Sequence, residues 1–426
     1  MQRVDYPSPE EIAGLLKRPV MDNKQLVKQV GKIIADVQKN GDRALRRYSK
    51  LFDSTPIKSS LVKKKQIAQA EKLISQQLKD AMLSAYDNIK KFHASQLEIS
   101  ARIETSPGVY CWRKSLPIQR AGFYIPGGSA PLFSTILMLG IPAQLVGCKE
   151  IVLCTPPSKE GTIHPAILYA AKLVGITEIH LCGGAQAIAA MAYGTRSLSK
   201  VDKIFGPGNQ YVTTAKQLVQ MDGIAIDMPA GPSEVCVLAD STSNPDFVAA
   251  DLLSQAEHGP DSQVILVSNS KLIIEKTLES INRQLELLER KDIAMAALDH
   301  SRAILVHDIK DGLAIVNAYA SEHLIIASDD AHQLAEQVEH AGSVFLGHYT
   351  PESAGDYASG TNHTLPTNGY ARAYSGVSCD SFVRKVTFQH ITEEGIKKLG
   401  KIIIAMAEAE GLDAHANAVK IRINKQ

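Results

Sequence analysis

Residues 178–209 read EIHLCGGAQAIAAMAYGTRSLSKVDKIFGPGN, and the order of their parts decides the fold class. Two short apolar runs, each stopped by glycine, flank a helical stretch. Strand, turn, helix, strand is the βαβ unit, which builds parallel sheets. The pattern extends outward on both sides. AGFYIPGG (121–128) and EIVLCTPP (150–157) precede it and IAIDMPAGPSE (224–234) follows. STILMLGIPAQLVG (134–147), HPAILYAAKLVG (164–175) and QYVTTAKQLVQ (210–220) supply connections long enough for crossover helices. A second alternating region has QVILVSN (263–269), SRAILVHD (301–308), EHLIIAS (322–328) and GSVFLG (342–347) as its strands. Two α/β units are expected.

Helices flank these units. KQLVKQVGKIIADVQ (24–38) places Leu26, Val27, Val30, Ile33, Ile34 and Val37 on one stripe, and helical character runs from about Lys24 to His93. Beyond Phe388 the pattern is helical again, with Thr392 as a cap for EEGIKKLGKIIIAMAEAE and Gly411 as its break. The 426 residues carry 46 basic and 45 acidic side chains and are 45% hydrophobic. A balanced charge argues against nucleic acid and anionic membranes as partners, and the basic run Lys63 to Lys65 reads as a solvated helix face. The six cysteines lie far apart, which suits free buried thiols in a reducing compartment. The opening MQRVDYPSPEEIAG has no basic region followed by an apolar run, and no stretch reaches the roughly 18 apolar residues of a spanning helix. A cytoplasmic protein is expected.

Ligands of open α/β sheets collect beyond the carboxyl ends of the strands, where glycines admit phosphates and helix N-termini attract anions. Those ends are Tyr124 to Gly128, Gly183 to Gln186 and Gly206 to Asn209. None spells G-x-G-x-x-G, so a dinucleotide site and plain tight turns remain equal readings. In DLLSQAEHGPDSQ (251–263), Gln255 and His258 fall one turn apart near a helix end. They are either half of a metal site or a helix end whose imidazole bonds the last carbonyls. Glu352, Asp356 and His363 in PESAGDYASGTNH, with Glu410 and His415 in EAEGLDAHAN, add ligands for a mixed nitrogen and oxygen site. Glu322 and His323 adjoin just before an apolar strand, where a helix-to-strand junction can aim both into one cavity as an acid–base pair.

The chain resembles the histidinol dehydrogenase family over nearly its whole length. The most specific stretch is IDMPAGPSEVCVLADSTSNPDFVAADLLSQAEHGPDSQ (226–263). GFYIPGGSAPLFSTILML, GGAQAIAAMAYGT, KIFGPGNQYV, SEHLII, SAGDYASGTNHTLPT and EGLDAHANAV add to it. The loop PPSKEGTIHP (156–165) is longer than in some members and falls where insertions are tolerated.

The resemblance implies an α/β fold of two incomplete Rossmann-like parallel-sheet domains with small N-terminal and C-terminal helical extensions. Its division would be an N-terminal extension (1–21), a catalytic α/β domain (22–126 and 233–377), an NAD-binding domain (127–232) and a helical dimerisation domain (378–426). It implies a homodimer with exchanged C-terminal domains and oxidation of L-histidinol through L-histidinaldehyde to L-histidine by two NAD. Gln255, His258, Asp356 and His415 match the zinc ligands, which also lie against substrate. Ser233, His323, Glu352, His363 and Glu410 match substrate contacts, and Tyr124, Gln186 and Asn209 match NAD contacts. Glu322 and His323 match the catalytic pair, His323 as base in both hydride transfers and Glu322 as the activator of water. Three rivals predict different behaviour: a thiol route through Cys154, Cys182 or Cys236, a zinc hydrolase indifferent to NAD, and a non-catalytic NAD-binding regulator.

Overall fold

The computed structural model describes residues 1–19, 23–53, 59–97, 100–127, 131–158 and 160–424. The expected boundary at 21/22 and the strand-end Gly128 lie outside these residues. In chain order, β1 (Gln2–Asp5) is followed by the helices Asn23–Asn40, Asp42–Phe52, Lys64–Ala70 and Gln76–Ala94, matching the helical region expected from Lys24 to His93. An antiparallel pair, β2 (Ile103–Ser106) and β3 (Val109–Pro117), comes next.

The first parallel sheet is made of β4 (Arg120–Tyr124), β5 (Glu150–Thr155), β6 (Glu178–Leu181), β7 (Lys203–Phe205) and β8 (Ala225–Ile226) in the order β6-β5-β4-β7-β8. Side chains alternate between two cores, as the period of a strand requires. Phe123, Ile125 and Leu153 face Ile89, Ile136 and Leu139 on one side. Tyr124, Val152 and Cys154 face Val30, Val37, Ile188 and Ala215 on the other. The strand β4 precedes the expected division at 126/127 yet is central here. An apolar strand buried on both faces needs neighbours at both edges, and β5 and β7 provide them. The helices from residues 23 to 94 also pack on this sheet and not on the second.

The second sheet contains β9 (Glu234–Ala239), β10 (Gln263–Ser268), β11 (Arg302–Leu305), β12 (His323–Ala327) and β13 (Ser343–Leu346), with β1 added at its edge, in the order β1-β11-β10-β9-β12-β13. All pairings are parallel. Counted within each sheet, both wind as third, second, first, fourth, fifth strand, so each has a switch point beside its first strand. At the carboxyl edge of the second sheet that crevice is tied shut. The Ser243 hydroxyl donates to the Ala327 carbonyl, Ser328 Oγ donates to Asp240 Oδ2 at 2.5 Å, and Asp329 N donates to Thr242 Oγ1 at 3.1 Å.

The tail begins with a strand. β14 (Val383–Ile391) lies antiparallel to β3, with Trp112 stacked on Phe388 at 5.6 Å, and the helices Glu393–Ala409 and Asp413–Ile423 follow. Thr392 Oγ1 caps the first of these, accepting from Gly395 N at 3.1 Å as the sequence predicts. Phe382, fully buried, joins tail to body by stacking on Phe205 at 4.2 Å and meeting Phe123 edge-on at 6.0 Å. Phe382→Ala empties that contact and is expected to cost about 3–5 kcal/mol in urea unfolding. A loss below about 1 kcal/mol would show that this ring does not anchor the tail.

Candidate active site

The cleft between the sheets is built from opposite edges of the two. The first sheet contributes the turns that follow its strands, including Pro126, Gly206 to Asn209 and Asp227. The second contributes residues that precede its strands: Ser233 before β9, Gln255 and His258 before β10, and Glu322 before β12. The cleft encloses about 620 Å3, in the range of cofactor and substrate sites.

Local sequence aims each group. Asn244 Oδ1 caps the helix Pro245–Ala256, accepting from Asp246 N at 2.9 Å, and the register carries Gln255 to its last turn with His258 just beyond. The helix Ile309–Tyr319 ends at Ala320, held in the left-handed region at φ 52, an unfavourable conformation for a non-glycine residue. That sharp exit lets Glu322 and His323 both line the cleft although they are adjacent. The short helix Glu352–Tyr357 sets Glu352 and Asp356 four residues apart on one face.

His323 is the centre of the cluster. Its Nδ1 lies 3.7 Å from Glu322 Oε2 and its Nε2 3.4 Å from Asp356 Oδ1. Burial by itself would lower its pKa, but Glu322, Asp356 and Glu352 outweigh burial and raise it to about 10. Burial pushes Glu322 and Glu352 up to about 8 each. Burial also works against ionised Asp356, but His323 and the neighbouring imidazoles prevail and hold it below the usual carboxylate range. His258 is open to the cleft, yet enclosure by protein on its other sides lowers its pKa, and burial does the same to His363. His363 is pinned between the Asp356 carbonyl at 2.8 Å from Nδ1 and Thr135 Oγ1 at 3.1 Å from Nε2.

The donor set suits a metal ion. Ligand atoms of His258, Glu352 and Asp356 lie within 4.8 Å of one another. Buried Asp356 Oδ1 and His323 Nε2 find no hydrogen-bond partner among the described residues. The hydrogen-bond network orients the Gln255 amide so that its nitrogen donates to both Glu352 oxygens, at 2.9 and 2.8 Å, which turns its oxygen away from Glu352. Glu352 also accepts from Ser254 Oγ at 3.3 Å. Glu352 is therefore engaged as an anchor, while the Gln255 oxygen, His258 and Asp356 are left as the mixed donors that borderline divalent cations take.

On the opposite wall Asn209 lines the cleft and caps the helix Gln210–Met221. Its turn is fixed by Asp227, whose Oδ2 accepts from Gly206 N at 2.8 Å and which pairs with buried Lys216. Gly206, at φ 119, has no room for a side chain, since a Cβ would fall 2.0 Å from the Tyr124 carbonyl. In the sequence alone, neither Asp227 nor Thr135 carries a motif that assigns it a role. Hydrophilic residues inside otherwise apolar runs were the available signal.

Ser233, Gln255, His258, Glu322, His323, Asp356, His363 and Asn209 thus share one cleft, with Glu352 directly behind Gln255. Tyr124 and Gln186 do not line it; both are buried, and the Tyr124 hydroxyl accepts from Gly184 N at 3.0 Å. Glu410 and His415 stand exposed on the tail helices, outside the cluster. Cys154, Cys182 and Cys236 are buried and burial pushes each thiol well up, which disfavours the nucleophilic thiolate.

Facing doubly wound sheets, with a glycine-lined turn on one wall and an acid–base pair on the other, are the arrangement of a two-sheet α/β enzyme with its site in the cleft between them. The sequence model described as histidinol dehydrogenase matches residues 16–423. A histidinol dehydrogenase of Bacteroides thetaiotaomicron is 57% identical over 424 residues, covering 100% of this chain and 99% of that one. One from Vibrio parahaemolyticus is 50% identical over 421 residues, covering 98% and 97%. The crystal structure of the Elizabethkingia anophelis histidinol dehydrogenase superposes with a TM-score of 0.97 at 55% identity, covering 99% of this chain and 98% of that one. The chain belongs to the histidinol dehydrogenase family and is an NAD-dependent oxidoreductase of histidine biosynthesis.

One turn before Gln255, burial pushes the Asp251 carboxyl up to about 7. A carboxyl whose pKa is raised by folding stabilises fully only below its unfolded value, and that contribution is lost as pH climbs to the folded value. Asp251→Asn should therefore stabilise chelator-treated protein by about 1–3 kcal/mol more at pH 8 than at pH 5. Urea titrations at the two pH values would show the growth. An equal effect at both would mean that burial of the charge is not what separates the variants.

Proposed function

We propose that the four-electron oxidation of L-histidinol through L-histidinaldehyde to L-histidine, with reduction of two NAD, takes place in this cleft. The observation that carries this reading is the meeting of Glu322 and His323 with the Gln255, His258 and Asp356 donors, opposite the Gly206 to Asn209 turn. Zinc fits the donors of Gln255, His258 and Asp356, with His415 of a second copy as a fourth. When bound, the ion would hold the substrate's nitrogens and offset part of the carboxylate charge of Glu322, Asp356 and Glu352 that raises the His323 pKa.

His323 then takes the proton of the substrate hydroxyl as hydride leaves for the nicotinamide. Glu322, as the carboxylate, takes a proton from the water whose oxygen adds to the aldehyde carbon, and its burial strengthens its hold on that proton. His323 serves again in the second oxidation. Ser233, Glu352 and His363 surround the substrate, with Glu410 reaching it from the partner's tail. Asn209 serves the NAD directly; Tyr124 and Gln186 shape the turns beneath it.

The exposed placement of Glu410 and His415 supports a homodimer with exchanged tails. A cytoplasmic location accords with this role, and no helix among the described residues is long and apolar enough to cross a membrane. A zinc hydrolase would work without NAD, and a regulator would tolerate loss of Glu322 and His323.

Purified protein given L-histidinol and NAD is expected to form two NADH per substrate and to stop on chelation. Glu322→Gln should leave the first hydride transfer within a few-fold of wild type and slow oxidation of supplied L-histidinaldehyde by about a hundredfold to ten-thousandfold. Equal loss in both half-reactions would refute the division of labour. Gln255→Ala and His415→Ala variants, each inactive alone, should regain up to about a quarter of wild-type activity when mixed and refolded together, since random pairing leaves one intact site in half of the dimers. A mixture that stays inactive would place His415 and Gln255 of one chain at the same site.

A further inference from the structure

Arg18 comes from the N-terminal segment, far from the cleft in sequence, and is held by one of the densest polar networks in the molecule. Its Nε donates to Glu234 Oε2 at 2.5 Å and its Nη2 to Glu234 Oε1 at 3.0 Å and to the Tyr319 carbonyl at 2.7 Å. The guanidinium lies over the Tyr319 ring at 4.1 Å, and the Tyr319 hydroxyl contacts Glu234 Oε2 at 3.3 Å and Gln263 Oε1 at 2.9 Å. Gln263 Nε2 returns to the chain beside Arg18, donating to the Lys17 carbonyl at 3.1 Å. Glu234 is 2% exposed, so this fork is a desolvated, bidentate ion pair, the strongest kind for fixing geometry.

The network leads to the reacting groups through a single bond. Glu234 begins β9, and its backbone N–H donates to Glu322 Oε2 at 3.1 Å. β9 is paired with β12, with Val235 opposite His323, so Glu234 and Glu322 stand side by side at the amino ends of these strands. Four buried or half-buried carboxylates, Glu234, Glu322, Glu352 and Asp356, crowd this edge. Arg18 neutralises the one that faces away from the cleft.

We propose that Arg18 is a positioning residue for the aldehyde half-reaction, holding Glu234 so that its backbone N–H keeps the Glu322 carboxylate aimed at the water it activates. This rests on the assignment of Glu322 as the water-activating base. The effect should fall mainly on one half-reaction, because the Glu234 N–H bonds Glu322 directly, whereas His323 meets Glu322 only at 3.7 Å and its contact to Asp356 does not pass through Glu234.

The test uses the zinc-loaded dimer and two measurements: the single-turnover NADH burst from L-histidinol, and steady-state oxidation of supplied L-histidinaldehyde. Arg18→Lys retains the cation and loses the fork, so it keeps the fold while loosening Glu234. It is expected to keep the burst within about twofold and to lower aldehyde kcat about three- to tenfold, with Arg18→Met lowering it about ten- to a hundredfold. If Arg18 acts through Glu322, Arg18→Met/Glu322→Gln should be no slower on the aldehyde than Glu322→Gln alone. Additive losses in that double variant, or equal slowing of both half-reactions by Arg18→Lys, would overturn the inference and leave the role of Glu322 intact. If Glu322→Gln itself spared aldehyde oxidation, the base assignment would fall and this inference with it.

Discussion

The structure depends on one constraint: the two parallel sheets meet with opposite polarity. A strand's carboxyl end opens onto a turn and a helix N-terminus, a place suited to a dinucleotide. Its amino end receives the close of a helix and the start of a buried strand, a place suited to carboxylates and imidazoles held by backbone donors. Facing Gly206 to Asn209 against Ser233, Gln255 and Glu322 sets these two environments across one gap. The helix cap at Asn244, the left-handed exit at Ala320 and the Asp227–Lys216 pair each serve that alignment.

Much of this was legible from the chain because its signals are local. Short apolar runs alternating with helical stretches marked β4 to β7 and β10 to β13, and both units appeared where the alternation placed them. The three-stranded sheet escaped notice for a physical reason: β14 is half-exposed, alternates poorly, and finds its partner β3 about 270 residues earlier. The alternation also grouped β4 with β5 and β7, in keeping with their pairing, although the division at 126/127 falls after it.

Within the site, Gln255 and His258 were visible by spacing and Glu322 and His323 by adjacency, and the fold brings all four to the cleft. Arg18 carried no such mark. A lone arginine in a polar segment is unremarkable until folding sets it 216 residues away against Glu234. Glu410 and His415 show the converse: sequence resemblance groups them with the cluster, yet their own chain holds them out on the tail helices.

The sealed crevice at the far edge of the second sheet has a bearing on stoichiometry. Ser243, Ser328, Asp240 and Thr242 fasten the turns at the second sheet's switch point, so on the function proposed above only the turns of the first sheet open as a cofactor seat. An enzyme that spends two cofactors per product through one seat works in series. The half-oxidised substrate must outstay the first cofactor's departure, so the wall that grips it has to be more patient than the wall that turns over.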